Sequence, residues 1–286
     1  MKITVAHSPD ADDIFMYYAI KFGWVDTKDY EFENIALDIE TLNQNALKNI
    51  YDVTAISFGL YPNIRNEYAL LRSAISFGNG YGPKLIKKRG KRLRDNFKLA
   101  LSGKNTTNAM ITRLKYPNAR VKYINFLEIE NAILSGEVDA GVLIHESILD
   151  FDDSLEVEAE IWDIWLDFAK KELPLPLGGM ALRRSIPLNR AIDIEDILIE
   201  GVKVANSKKE QLSKLLVEKD LVRISDDLLD RYLNMYASND SISLSQIQIE
   251  ALDRLFEIGF EHGVYDCLIK TEDYLIPKEY KSVRYS

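Results

Sequence analysis

The chain has 286 residues, of which 47% are hydrophobic and 28% are charged. These are the fractions of an ordinary globular protein, so they exclude disordered and fibrous classes, and the length allows one large domain or two compact lobes. The net charge of −9 at neutral pH argues against general binding to nucleic acid or to an anionic membrane surface.

The first half of the chain alternates short β-rich runs with helical patterns. We predict strands at residues 2–7, 52–58, 69–76, 84–88, 97–102, 121–126 and 139–145. We predict helices at residues 13–22, 41–50, 108–115 and 127–134. Strands separated by helices of this length predict mostly parallel sheets with helices on both faces.

The second half is mostly helical in pattern. Helices are predicted at residues 192–206, 209–219, 226–237 and 244–263. Ser243 and Gln246 have the spacing of a capping box at the start of the last helix, and Gly263 ends it. Between the two halves, residues 173–179 (LPLPLGG) are interpreted as an ordered connection along which the chain returns from one lobe to the other.

Two segments of the chain have the same layout, a helix, a turn, an Asp and an apolar strand. The first of these strands ends at Ser57 and the second at His145. Ligands of open parallel sheets bind beyond the carboxyl ends of the strands. We therefore expect both strand ends to face one cleft, with a small molecule as the binding partner.

His145 is the candidate for acid–base chemistry, because imidazole titrates near neutral pH. The alternative is a structural histidine that is held by hydrogen bonds. The three histidines have no metal-binding spacing, and Cys267, as a single cysteine, excludes an intrachain disulfide. We expect no metal.

Two loops could supply further polar groups. Asn105, Thr106 and Thr107 precede a predicted helix, where they could bind an anionic group or only cap the helix. Asp10, Asp12 and Asp13 could form a metal site or a protonating carboxylate set. Helix capping explains these aspartates more simply, and we favour that interpretation.

Other segments exclude common functions. Residues 78–83 (GNGYGP) are glycine-rich but lack the nucleotide-binding fingerprints. The basic run at residues 87–94 has no interleaved aromatic residues, so a solvated connection is favoured over a nucleic-acid site. The start of the chain has no signal-peptide pattern, and no stretch is apolar enough to span a membrane, so we expect a cytoplasmic protein.

Short motifs along nearly the whole chain resemble the 1,4-dihydroxy-6-naphthoate synthase family of the futalosine route to menaquinone. They are Ser8-Pro9 with Asp13 and Phe15, Glu40-Thr41-Leu42-Asn43, Leu71-Arg72-Ser73, Gly80-Tyr81-Gly82-Pro83, Thr106-Thr107, Gly136-Glu137-Val138-Asp139-Ala140-Gly141, Ile144-His145-Glu146-Ser147 and Leu173-Pro174-Leu175-Pro176-Leu177-Gly178. Each motif is weak alone, but their order and spacing together make the match strong.

This resemblance implies a two-lobed fold like that of type II periplasmic binding proteins, with residues 1–92 and 177–286 in one lobe and 93–176 in the other. It implies a carbon–carbon lyase that cleaves cyclic dehypoxanthine futalosine to 1,4-dihydroxy-6-naphthoate without a cofactor. His145 is then the proton acceptor. The implied substrate-binding residues are Ala55, Ile56, Ser57, Thr106 and Thr107, and other expected cleft residues are Ser8, Asp13, Asn43, Gly82, Glu146, Ser147 and Gly178.

One loop departs from the family pattern. Many relatives have Ser-Pro-Cys-Pro-Asn-Asp-Thr where this chain has Ser-Pro-Asp-Ala-Asp-Asp-Ile at residues 8–14, which leaves the role of the loop open. Two other functions stay as alternatives: a chorismate dehydratase of the same pathway, and a non-catalytic cytosolic binding protein. The Ile-His-Glu-Ser motif at residues 144–147 favours the synthase over the dehydratase.

Overall fold

Eleven strands in two sheets form the framework of the computed structural model, which describes residues 1–223 and 225–279. The strands are β1 (Lys2–His7), β2 (Glu31–Ala36), β3 (Val53–Ser57), β4 (Tyr68–Leu70), β5 (Ser76–Gly78), β6 (Lys84–Lys88), β7 (Lys98–Leu101), β8 (Arg120–Tyr123), β9 (Ala140–Leu143), β10 (Leu155–Glu160) and β11 (Leu175–Arg183). The first sheet has the order β2-β1-β3-β11-β4, with β5 paired to β11, and the second has the order β10-β6-β9-β7-β8.

Helices cover these sheets. They are α1 (Ala11–Lys21), α2 (Ile39–Ala46), α3 (Tyr61–Ile64), α4 (Thr107–Lys115), α5 (Ile129–Ser135), α6 (Ile161–Ala169), α7 (Leu188–Ser207), α8 (Lys209–Glu218), α9 (Asp226–Tyr236) and α10 (Gln246–Glu261). None of the helices in the described ranges is long and apolar enough to cross a lipid bilayer.

Each sheet combines parallel and antiparallel pairs, whereas we predicted mostly parallel sheets. Strand β1 runs parallel to β2 and β3, but β11 runs antiparallel to β3, β4 and β5. In the second sheet β7 is parallel to β8 and β9, and β6 is antiparallel to β9 and β10. The antiparallel strands β6 and β11 lie where the chain passes from the first sheet to the second and where it returns. The lobe limits at residues 92 and 176 stay a prediction.

The core is built on strands that are buried on both faces. All five residues of β3 are buried, as is Phe15 on α1. Helix α1 packs against α7 and α9, so both sides of this helix are covered. Fully burying a large apolar side chain such as Phe15 stabilises the fold by roughly 1.5–3 kcal/mol. This packing fixes the loop between β1 and α1 above the strand ends.

A tertiary contact moves the start of the last helix from its predicted place. The capping box forms at Ser245 and Gln248, where the Ser245 amide donates to the Gln248 side chain (2.8 Å), and the prediction of Ser243 and Gln246 is wrong. Both pairs have the required spacing, but the amide of Leu244 bonds to the carbonyl of Arg72 (2.8 Å), which holds this residue outside the helix.

The sequence patterns also missed several elements, namely helices α3 and α6 and three strands. The predicted return connection is the long strand β11. Strands β2 and β10 were not predicted, because they carry charged and partly exposed residues without a clear apolar alternation.

Candidate active site

A cavity of about 90 Å³ lies where strand ends of the two sheets meet. Its walls include nine of the residues that we predicted for the site: Ser8, Asp13, Ala55, Ile56, Ser57, Thr106, Thr107, His145 and Gly178. In the first sheet, these residues end or follow β1 and β3, or belong to β11. In the second sheet, they lie at the start of α4 or directly after β9. The structure thus brings these residues together, and their binding of substrate stays a prediction.

Four further predicted residues do not line the cavity. Asn43 lies behind Ser57, accepting a hydrogen bond from its amide (2.9 Å) and donating one to its hydroxyl (3.0 Å). Glu146 accepts a hydrogen bond from the amide of Ala11 (2.9 Å). Gly82 packs against the first sheet, where an added Cβ would lie 3.1 Å from Leu175. Ser147 belongs to a short 3-10 turn at His145–Ile148.

His145 and Asp10 meet at the cavity wall. Asp10 is the residue before α1, and its side chain forms no cap hydrogen bond with that helix. One of its carboxylate oxygens instead contacts Nδ1 of His145 at hydrogen-bonding distance. The capping interpretation is therefore wrong for Asp10. His145 has a backbone φ of 55°, a strained conformation for a residue with a side chain, and such strain is concentrated at functional sites.

The other two aspartates of the loop also have partners. Asp12 accepts hydrogen bonds from the hydroxyls of Tyr232 (3.1 Å) and Ser76 (3.2 Å). Asp13 accepts one from the amide of Ser8 (2.8 Å). Both aspartates lie in the first turn of α1.

The charges of these groups depend on burial and on the contact between Asp10 and His145. Burial alone would raise the pKa of Asp10, but the charge and the hydrogen bond of His145 outweigh it and lower this pKa to about 2. Burial alone would lower the pKa of His145, but the same contact, helped by the charges of Glu146 and Asp12, raises it to about 9. The two groups therefore form an ion pair at neutral pH.

The remaining acidic groups hold protons more tightly than usual. Burial, with the charge of Asp10, raises the pKa of Asp12 to about 8. The same two causes raise the pKa of Asp13 well above its ordinary value, and they also raise the pKa of Glu146. Beside the charged pair, the cavity wall thus carries Asp12, a carboxylic acid that can donate a proton near neutral pH.

Asp10, Asp12 and His145 are also the group that could hold a metal ion, since their ligand atoms lie within 4.8 Å of one another. Two nitrogen or oxygen ligands of a tetrahedral or octahedral ion are separated by roughly 3 Å, because each metal bond is about 2 Å long. The Asp10 and His145 atoms are already in direct hydrogen-bonding contact. A proton fits this contact, whereas an ion bound through the same two atoms would have to separate them. The expectation of no metal stays a prediction.

The paired threonines already have structural partners. The Thr106 hydroxyl caps α4 by accepting a hydrogen bond from the Ala109 amide (3.3 Å). The Thr107 hydroxyl accepts one from the Gly59 amide and donates one to the Leu177 carbonyl (both 2.9 Å). The first amides of a helix have no partner within it, so an anionic group would bind to backbone N–H groups at this helix start.

Several cavity residues were missed by the sequence reasoning. Tyr232 and Tyr236 on α9 and Ser76 on β5 line the cavity, although nothing in their local patterns pointed to a site. For Asp10, the one signal was its place after the strand that ends at His7. Trp165 is fully buried and donates to the Leu173 carbonyl (2.8 Å), so it serves the core.

Comparisons with known proteins found similar sequences over most of the chain. The sequence model of a family described as menaquinone biosynthesis matches residues 3–261. A 1,4-dihydroxy-6-naphthoate synthase of Thermus thermophilus is 25% identical over 262 residues, covering 92% of this chain and 95% of the relative. The enzyme of the same name from Streptomyces coelicolor is 23% identical and covers 93% and 95%, respectively.

Solved structures show the same fold. A protein of Archaeoglobus fulgidus superposes with a TM-score of 0.84 at 31% identity, covering 92% of this chain and 98% of that one. The aliphatic sulphonate binding protein of Escherichia coli superposes with a TM-score of 0.65 at 9% identity, covering 100% and 96%, respectively. The fold of the chain is therefore that of the periplasmic binding proteins, as predicted.

Proposed function

The chain belongs to the menaquinone biosynthesis family, and on this basis we propose that it is a carbon–carbon lyase that converts cyclic dehypoxanthine futalosine to 1,4-dihydroxy-6-naphthoate. The ribose-derived part of the substrate is released, and no cofactor takes part. Both curated relatives carry the name of this synthase and align along most of the chain.

One observation supports this function more than any other. His145, the base implied by the resemblance, lines the cavity next to Asp10, and the predicted substrate-binding residues of both sheets line the same cavity. A binding protein needs polar contacts to its ligand but does not need a strained histidine with a raised pKa. This arrangement therefore favours proton transfer.

In the proposed reaction, His145 accepts a proton from the substrate through its neutral imidazole. The loss of the proton and the breaking of a carbon–carbon bond make the second ring aromatic, and this supplies the driving force. A positioned base contributes about 10²–10⁴-fold to such a rate. Because the pKa of His145 is raised to about 9, the neutral form is a strong base but a minor species at pH 7.

The site must open to admit this substrate. Its cavity of about 90 Å³ is smaller than the roughly 300–1,000 Å³ of most ligand sites. Two contacts join the loop after β1 to the turn after β9, one between Asp10 and His145 and one between Ala11 and Glu146. Separation of these loops widens the cavity, and their return around the substrate excludes water. The amides at the start of α4 then hold its anionic or hydroxyl group, and Ser57 orients it from the first sheet.

Incubating the purified protein with cyclic dehypoxanthine futalosine, and separately with chorismate, tests this proposal. We expect 1,4-dihydroxy-6-naphthoate from the first compound and no change in the second. Consumption of chorismate alone indicates a dehydratase instead. Binding of either compound without any product indicates a non-catalytic binding protein.

The role of His145 is tested by a matched pair of histidine variants. His145→Ala is expected to lower kcat by about 10²–10⁴-fold while the fold and ligand binding stay largely intact, although the unfolding temperature should fall because the buried Asp10 carboxylate loses its partner. His262→Ala is the control, because His262 lies at the end of α10, away from the cavity, against Phe168. Turnover by His145→Ala within a factor of two of the native rate rules out His145 as the base.

A further inference from the structure

The contact between Asp10 and His145 orients the imidazole ring. One oxygen of Asp10 faces Nδ1 of His145, and the ring of Phe126 packs edge-on against the imidazole with a centroid distance of 4.9 Å. Asp10 is only 3% exposed, so water does not weaken the contact. Its carboxylate and the aromatic ring together leave the imidazole little freedom to rotate.

The other acidic groups that act on His145 are engaged elsewhere. Glu146 accepts a hydrogen bond from the amide of Ala11. Asp12 accepts hydrogen bonds from the hydroxyls of Tyr232 and Ser76, and Asp13 accepts one from the amide of Ser8. Asp10 alone among these four carboxylates contacts Nδ1 of His145. Its second oxygen, Oδ1, has no hydrogen-bond partner in the part of the chain that the structure describes.

The opposite nitrogen of the ring is free. Nε2 of His145 is buried and has no hydrogen-bond partner among the described residues. A neutral imidazole that donates its Nδ1 proton to a carboxylate keeps the lone pair on Nε2. The partner of Nδ1 therefore decides which nitrogen can accept a proton.

We propose that Asp10 is the positioning residue for His145: its carboxylate holds the Nδ1–H group, so that Nε2 is the atom that accepts the substrate proton. This inference rests on the proposed function for the identity of the substrate, but the orientation of the ring can be measured without it. No metal or cofactor is needed, since the proton moves from the substrate to Nε2 and Asp10 stays ionised throughout.

Nitrogen NMR of protein labelled with ¹⁵N-histidine tests the orientation, with the His145 signals assigned from a His145→Gln variant. In the native protein we expect a hydrogen-bonded proton on Nδ1. Asp10→Asn should lose this signal and lower the measured pKa of His145 by about one unit or more. Asp12→Asn removes a neighbouring carboxylate that does not contact Nδ1, so it should keep the signal.

Kinetics of the same variants test the consequence for catalysis. Asp10→Asn should lower kcat by about 100-fold with KM nearly unchanged, and Asp10→Glu should recover part of the rate because it keeps the carboxylate. Asp10→Ser, a smaller side chain, serves for both measurements where Asp10→Asn does not fold.

Two outcomes overturn the inference. One is an unchanged Nδ1 signal in Asp10→Asn, and the other is a lost signal with a native kcat. Failure of the native protein to convert cyclic dehypoxanthine futalosine overturns the proposed function instead, and the NMR comparison then still decides whether Asp10 positions the ring.

Discussion

Replacing Asp12 by Asn should stabilise the protein, and the gain should grow as the pH rises. Asp12 is 4% exposed, and burial with the charge of Asp10 raises its pKa from 3.8 to about 8. Below pH 4 this carboxyl is protonated in both the folded and the unfolded chain. Between pH 4 and pH 8 the unfolded chain loses the proton while the folded chain keeps it, so the free energy of unfolding falls with rising pH.

The size of the effect follows from the shift in pKa. A rise of about four units corresponds to roughly 6 kcal/mol at pH 8, since each unit is worth about 1.4 kcal/mol. Asn can accept only one of the two hydrogen bonds from Tyr232 and Ser76, which costs about 1 kcal/mol. The neighbouring acids Asp13 and Glu146 stay buried beside the charge of Asp10, so the variant relieves only part of the unfavourable energy of this group. We therefore expect a net gain of about 2–4 kcal/mol at pH 8 and little gain at pH 4 to 5.

Urea denaturation at pH 5, 6, 7 and 8 measures this gain as a shift of the midpoint at constant slope. Asp163→Asn is a matched control, because Asp163 is also in the first turn of a helix, α6, but is exposed. Its stability should change by less than about 0.5 kcal/mol at every pH. A variant at Asp12 that is less stable than the native protein at pH 8, or whose gain does not depend on pH, refutes the reasoning.

Three further predictions concern the site. The kcat/KM of the native protein should rise about tenfold per unit from pH 6 to pH 8 and level off near pH 9, because the neutral form of His145 is the base; a flat profile contradicts this. Gly178→Ala places a Cβ 2.9 Å from the carbonyl oxygen of Ile56, so the urea midpoint should show a loss of about 1–3 kcal/mol and kcat/KM should fall. Turnover after dialysis against EDTA should equal that of untreated protein, because Asp10 and His145 share a proton; a loss that added Mn²⁺ or Zn²⁺ restores indicates a metal site instead.

Local patterns predicted much of the framework. The first strand, Lys2–His7, and the strand Lys84–Lys88 have the predicted limits, because each is a short apolar run bounded by polar residues. The strands that lead to Ser57 and His145 were also predicted, and the cavity lies at their ends. Strand β11 was missed, because its prolines and glycines are typical of loops and its pairing with β3 joins segments far apart in the chain.

The sequence by itself determined the family, the fold class and His145 as the candidate base. The order of the motifs and the ends of the strands can be recognised from short stretches of sequence, without knowledge of tertiary contacts. Only the tertiary structure decided that Asp10 contacts His145 and does not cap its helix. It also decided that the pKa of Asp12 is raised to about 8 and that the pKa of Asp13 is raised well above its ordinary value. The physical reason is that the charge of a buried group depends on its distance to other charges and on the exclusion of water, and both are set by how the two sheets meet.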